Sequence, residues 1–397
     1  MNDNDVPPGD AASRRPHWEQ SSPAELKQLA ESHPAELYEA ARQLCRSALD
    51  EGSEWFTAAR TLGRIVDALA DTRSRDCARY AVDILGLFPQ LGPEPRKEGD
   101  RLCRSVAEKL VKAQQLRDLE ALFGELPERL DDPAVEVRAC VLGELALIGV
   151  GCGRPVLDAY AARLRELRHP LARLPRTRLD VEHRFGVRVR GLGSVKTSEQ
   201  LRSRFPEVSA TDGGAEGGRR AVESVDAGRA GAVAGPFVVS GWSRMPEARF
   251  YVLPDPLGPD DFNIAFIKEL PLACLEGEGT RRGVAVSCRT TPDDVINELF
   301  AAAHHGGVNG QGKGQGGAYS RLYAWNSLYA LMGLPGDVPF LEAARLAADH
   351  RWLRFMAVTD WFHHDTADVA FAVLDPSGTR VAVVAATDTD ADSHPYF

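Results

Sequence analysis

Histidine and glycine carry most of what could be chemistry in this sequence. Six of the ten histidines lie beyond residue 300, at His304, His305, His350, His363, His364 and His394. In Asp360-Trp361-Phe362-His363-His364-Asp365, with Asp368 just beyond, imidazoles stand beside carboxylates. General acid–base work and metal ligation both require such groups to converge. His363, His364, Asp360 and His304 are therefore the candidate catalytic residues. One imidazole from each histidine pair would face a common cleft, and Asp360 or Asp365 would orient it. No His-x-x-x-His spacing occurs, and neighbouring side chains on a strand point to opposite faces, so each pair offers one inward ligand at most. The competing reading has these histidines capping and packing helix ends. The spacing specifies no metal and no cofactor.

Gly306 to Gly317 reads Gly-Gly-Val-Asn-Gly-Gln-Gly-Lys-Gly-Gln-Gly-Gly. Gly307 to Lys313 follows the first seven positions of a phosphate-binding loop. The eighth, which must be Ser or Thr to hold magnesium, is Gly314, and the loop leaves a helical pattern rather than a strand. That excludes a Walker site. Two readings remain: a glycine-rich loop offering backbone N–H groups to an anion at a helix N-terminus, or a surface loop or lid. Thr387-Asp388-Thr389-Asp390-Ala391-Asp392 alternates as calcium loops do, but lacks their glycine and distant glutamate, and reads as a solvated tail.

These groups sit among elements typical of an α+β domain. Phe237-Val-Val, Phe250-Tyr-Val-Leu and Val284-Ala-Val-Ser are short β-rich runs. Thr291-Pro292-Asp293-Asp294 opens a helix to about His304, with proline at the first position and acids in the first turn. Two further helices are expected over Ala318 to Met332, where Leu322, Trp325 and Leu328-Tyr329 share an apolar core face, and over Phe340 to His350. Val369 to Leu374 and Arg380 to Ala386 form a hairpin around Asp375-Pro376-Ser377-Gly378.

The N-terminal half is different. From Leu26 to Ala48, apolar residues recur at three- and four-residue steps, and Ser22-Pro23-Ala24-Glu25 is a capping box. Helical patterns follow at 54–70, 73–88, 99–123, 133–149 and 154–168, broken at Pro89, Gly92-Pro93-Glu94-Pro95 and Asp131-Asp132-Pro133. Helix pairs in series suggest an α-solenoid; the bland alternative is an irregular helical domain. Asp132-Pro133-Ala134-Val135-Glu136-Val137-Arg138 through Leu142-Gly143 resembles a HEAT repeat, and Leu62-Gly63 and Leu85-Gly86 resemble fragments of one. Their uneven spacing makes any repeat degenerate.

Arginine is concentrated between 168 and 190, where Phe185-Gly-Val-Arg-Val-Arg alternates like a strand. Without interleaved aromatics this reads as a solvated strand face rather than a nucleic-acid surface. The expected organisation is a disordered tail over 1–20, a helical repeat-like domain over 21–170, an Arg-rich connecting segment over 171–205, a flexible linker over 206–235 and an α+β domain over 236–397. At Gly316 to Leu328, Trp361 to His364 and Val381 to Asp390 the chain resembles a family of actinobacterial proteins of unknown function. The resemblance implies that these three segments form one domain and implies no activity.

The whole-chain balance narrows the classes further. The 397 residues are 44% apolar and 26% charged with net charge -10, in the globular range and long enough for two or three domains at roughly 150 residues each. Acidity argues against nucleic acid as a partner. The N-terminus has no apolar segment like a secretory signal. No apolar run reaches the roughly 20 residues of a membrane helix, so no membrane partner is expected. The seven cysteines never form Cys-x-x-Cys, consistent with reduced thiols in the cytoplasm. The favoured function is a non-catalytic protein-binding or regulatory protein whose N-terminal helical region engages a protein partner. The alternative is a hydrolase-like or metal-dependent enzyme, with its site between the Gly306–Gly317 loop and the late histidines.

Overall fold

The computed structural model describes residues 21–51, 55–186, 221–276, 285–307, 314–362 and 367–389. The chain divides into two compact units, one of residues up to Val141 plus Arg154–Leu167, the other of Leu142–Gly153 plus Arg168 onward.

The first unit is helical throughout its described residues. It comprises α1 (Pro23–Ser32), α2 (Pro34–Glu51), α3 (Trp55–Ala70), α4 (Arg75–Leu85), α5 (Pro93–Ala113), α6 (Leu116–Glu120), the first part of α7 (Pro133–Leu147) and α8 (Pro155–Glu166). The capping box is present: Ser22 N–H donates to Glu25 Oε2 at 2.6 Å and Glu25 N–H to Ser22 Oγ at 3.3 Å. The 26–48 periodicity is interrupted at His33, whose non-helical backbone, with ψ at 56°, ends α1. Pro34 then opens α2 at a position where no N–H is needed. The same physics corrects the break expected at Gly92 to Pro95, because Pro93 and Pro95 occupy the first turn of α5. Leu62, Ile65, Val66 and Leu69 of α3 meet Ala81, Ile84 and Leu85 of α4 in a core closed to solvent. Each leucine, isoleucine and valine among them contributes about 1.5–3 kcal/mol by burial. Gly99 is required by the close approach of α5 to the turn at Phe88, since a Cβ there would come 2.7 Å from Phe88 Cβ.

The second unit is α+β. Its described residues include the strands β1 (Val222–Glu223), β2 (Glu247–Val252), β3 (Ala285–Thr290), β4 (Arg351–Ala357), β5 (Val369–Leu374) and β6 (Arg380–Ala386). They form one sheet in the order β1-β2-β6-β5-β4-β3, every neighbouring pair antiparallel. Helices α9 (Ala227–Val238), α11 (Pro292–His305) and α12 (Gly316–Met332) pack on one another, with α9 against β2 and α12 against β5 and β6. A further core joins Leu353, Phe355, Ala370, Ala372, Val381 and Val383 of the strands to Leu253, Leu257, Phe262 and α10 (Ile264–Glu269). Strands β5 and β6 are therefore covered on both faces, which is why they read as unbroken apolar runs. Helix α13 (Phe340–Asp349) leads into β4.

Three expectations change here. The flexible linker over 206–235 lies outside the described residues up to 220, but from Asp226 its small residues form α9, capped by Asp226 Oδ1 on the Arg229 N–H. Phe237 and Val238, read as β-rich, belong to the same helix because Phe237 is buried beneath it. Strand β4 was not expected, because Arg351 and Arg354 break its pattern. Arg354 is held at 2.8 Å by the buried Glu298 of α11. The strand expected over 185–190 falls outside the described residues beyond Gly186.

Candidate functional site

Of the candidate residues, His304 and Asp360 are described, the first at the end of α11 and the second just after β4. His304 and His305 form the last turn of α11, which Gly306 ends at φ +75°. The His304 ring stacks on Phe300 at 5.3 Å, Phe300 stacks on Phe185 at 4.4 Å, and the His305 ring lies edge-on to His304 at 4.7 Å. Asp360 is exposed in the turn after β4. His363 and His364, with Asp365, lie outside the described residues, as do residues 308–313 of the glycine-rich loop.

Three consecutive residues between α9 and β2 draw the surrounding segments together. Trp242 Nε1 donates to Ala302 O in the last turns of α11 at 3.4 Å. Ser243 N–H donates to Asp388 Oδ1 at 2.8 Å. Arg244 Nη1 donates to Trp361 O at 2.5 Å, with its guanidinium 5.5 Å from the Trp361 ring centre. The end of α11, the segment after β6 and the segment after β4 are thus tied through 242–244. Sequence reasoning missed this knot, because nothing in Trp-Ser-Arg announces it.

Thr387 and Asp388, read as part of a solvated tail, are fully buried. Thr387 Oγ1 donates to Asp368 Oδ1 at 2.6 Å, and Asp388 N–H to Ala367 O at 3.2 Å. Gly307 lies directly against the Asp388 carboxylate, so close that a Cβ would overlap Oδ2. At the loop's other end, Gly314 abuts the His304 carbonyl, Gln315 N–H donates to Ala303 O at 3.1 Å, and Gln315 Nε2 to Val239 O at 2.7 Å. Both ends of the glycine-rich segment are therefore fastened to α11 and its neighbours.

The anion expected at the N-terminus of α12 is supplied by the chain itself. Glu144 Oε1, buried, accepts the Ala318 N–H at 2.8 Å. Gly317 admits the carboxylate, since a Cβ there would meet Glu144 Oε2 at 2.6 Å. A carboxylate on the orphan amides at the positive end of a helix satisfies the same physics as a bound phosphate. Helix α12 contains a second buried charge. Arg321 Nε and Nη2 donate to the two oxygens of Glu182 at 2.6 and 2.8 Å, and Nη1 and Nη2 donate to the carbonyls of Pro175 and Thr177. Trp325 Nε1 completes the set on Glu182 Oε1 at 2.6 Å. An arginine inside an apolar helix signals a buried partner, but its identity, far away in sequence, is not written nearby. Among the described residues, no group of three His, Cys, Asp or Glu is arranged to hold a metal.

The first unit carries a separate cleft of about 650 Å³ beside α3 and α5. Its apolar floor includes Ala59, Gly63 and Leu102. Trp55 and Phe56, 42% and 67% exposed, stand at its edge as an edge-to-face pair. Its rim carries both charges, with Lys97–Glu94 at 2.6 Å and Arg101–Glu98 at 2.7 Å on exposed turns of α5. Among the described residues, no helix is long and apolar enough to cross a membrane.

Compared with protein-family models, residues 24–390 match a family described as being of unknown function. No curated protein and no solved structure matches the chain.

Proposed function

The chain belongs to the family of unknown function DUF6183, and from its geometry we propose that it is a recognition protein whose N-terminal helical unit binds a partner polypeptide. The observation that supports this reading is the exposed Trp55–Phe56 pair beside an apolar cleft. Large aromatics at a concave, charge-rimmed surface are the residues that carry binding energy at interfaces. The partner suited to it is an amphipathic segment with an apolar anchor for the floor and mixed charge at its flanks. Exposed ion pairs such as Lys97–Glu94 contribute little to the fold, so they are free to exchange partners. The Asp132–Gly143 resemblance agrees with a degenerate HEAT-like scaffold for such a surface.

The test is a photo-crosslinking amino acid at position 60 of the full chain. It should capture a polypeptide whose affinity, once measured with the isolated partner, falls at least about tenfold on Trp55→Glu/Phe56→Glu substitution. No adduct, or unchanged affinity in the double variant, removes the proposal.

A second reading, a hydrolase-like or metal-dependent enzyme, is favoured by the knot that brings the His304 end of α11 and the Trp361 segment to Asp388. Metal content and turnover of the purified protein, against a His363→Ala/His364→Ala variant, decide it. If metal and activity are both lacking and the two proteins behave alike, it fails.

A further inference from the structure

We propose that the cleft between α9 and α12 in the second unit binds a small organic carboxylate with a planar apolar body. The cleft encloses about 590 Å³, within the roughly 300–1,000 Å³ of small-molecule sites. It lies far along the chain from the surface proposed for partner binding and does not depend on it.

Gly231 is the first clue. It lies mid-helix in α9 and lines the cleft, and among the described residues beyond its own turns of helix no atom lies within 4 Å of where its Cβ would sit. A glycine there costs a helix about 1 kcal/mol against alanine, and no neighbour requires it. One turn on, a Cβ at Gly235 would sit at an ordinary 3.6 Å from the Tyr323 ring. Both positions tolerate a side chain on packing grounds, and both leave the floor bare. A flat ligand body resting on backbone gives this composition a purpose.

The opposite wall is α12, which is rigid because Arg321, Trp325 and Ser327 are tied into the surrounding chain. It presents Tyr323 and Asn326 to the cleft. Among the described residues, neither the Tyr323 hydroxyl nor the Asn326 amide has a hydrogen-bond partner. They can therefore meet polar atoms at the edge of a ligand without breaking anything.

Charge decides the ligand's sign. Arg173 and Arg229 both line the cleft, and both are fixed before any ligand arrives. Arg173 Nη2 donates to Gly336 O at 2.9 Å while the guanidinium lies 5.4 Å from the Phe340 ring centre. Arg229 Nε donates to Ala330 O at 2.6 Å and Nη2 to Leu331 O at 3.2 Å, 4.0 Å from the Phe250 ring centre. Arg173 Nε and Nη1, and Arg229 Nη1, have no acceptor among the described residues. Among the described lining residues the carboxylate is Asp226, which caps α9 through Oδ1 and offsets part of the charge of Arg229, so the two arginines leave the lining net positive. Cations held in place on rings and carbonyls lose little further freedom on binding an anion.

Calorimetric titration of the full chain with benzoate, 4-hydroxybenzoate and benzamide tests this. The carboxylates should bind, 4-hydroxybenzoate the tighter through Tyr323 or Asn326, with benzamide at least about tenfold weaker. Gly231→Leu, on an exposed helix position, should abolish carboxylate binding while leaving the unfolding midpoint unchanged or raised. Asn326→Asp, which places a carboxylate where the ligand's own would lie, should weaken benzoate at least about tenfold. The proposal is overturned if neither carboxylate binds up to about 10 mM, if benzamide equals benzoate, or if either variant binds benzoate as the wild type does.

Discussion

The carboxylate of Glu144 caps the amide of Ala318 from 174 positions away along the chain. The glycine-rich approach to α12 is thus the entrance to an anion site whose anion is covalently attached. Glu144→Gln keeps an acceptor but removes the charge at the helix's positive end, and should lower stability by about 1 kcal/mol. Glu144→Ala leaves a buried N–H unsatisfied and should cost about 1–3 kcal/mol. Urea unfolding of the three proteins checks both values.

Two glycines should respond in opposite directions. Gly307→Ala forces its methyl into the Asp388 carboxylate and should destabilise by more than about 2 kcal/mol, as overpacking at a buried polar contact does. Gly231→Ala meets open space and should stabilise by about 0.4–1 kcal/mol. Thermal unfolding of the pair reads the contrast directly.

Arg321 and Glu182 form an ion pair closed to solvent, with side chains 1% and 0% exposed. Arg321→Met alone strands the Glu182 charge and should cost about 3–5 kcal/mol. Arg321→Met/Glu182→Leu removes both charges and should recover a large part of that loss. A double-mutant cycle by denaturant unfolding is the measurement, and simple additivity of the two single losses would contradict it.

Asp375 sets an acid limb on stability. Burial alone would raise its pKa, but donation from the Ser377 hydroxyl and the Arg380 and Thr379 amides outweighs that and holds it below the ordinary 3.8. A depressed carboxylate stabilises the fold where it is ionised in both states. Its contribution is complete above the unfolded value and lost as pH falls from there through the folded one. Asp375→Asn should cost about 1 kcal/mol at neutral pH and flatten the stability profile below pH 3.8. Denaturation curves at stepped pH decide it.

Local chemistry was legible wherever it acted over a few residues. Ser22 to Glu25 announced a helix start, Thr291 to Asp294 another, and Asp375 to Gly378 the turn of a hairpin. The apolar stripe of Leu322, Trp325 and Leu328 is core, as its spacing implied. What escaped depended on distant partners. Arg354 hid β4 because Glu298, which neutralises it, lies 56 positions earlier in the sequence. Thr387 and Asp388 looked solvated because the groups that bury them are Asp368, Ser243 and Gly307. The late histidines clustered in sequence, but the contacts that locate the end of α11 come from Trp242, a residue with no chemical signature of its own.

The strand order carries a consequence for how the protein is made. β6 lies inside the sheet, between β2 and β5, although it is the last strand among the described residues. Until the ribosome has released Arg380 to Ala386, β2 and β5 have no common neighbour, and their apolar faces and open backbone edges await it. Pairing Glu247 with Ala385 closes a very long loop, the kind of non-local contact that slows folding and leaves unpaired strands prone to aggregation. Nascent chains halted before residue 380 should therefore be the species that chaperones hold, and the sheet should lock in one late, cooperative step.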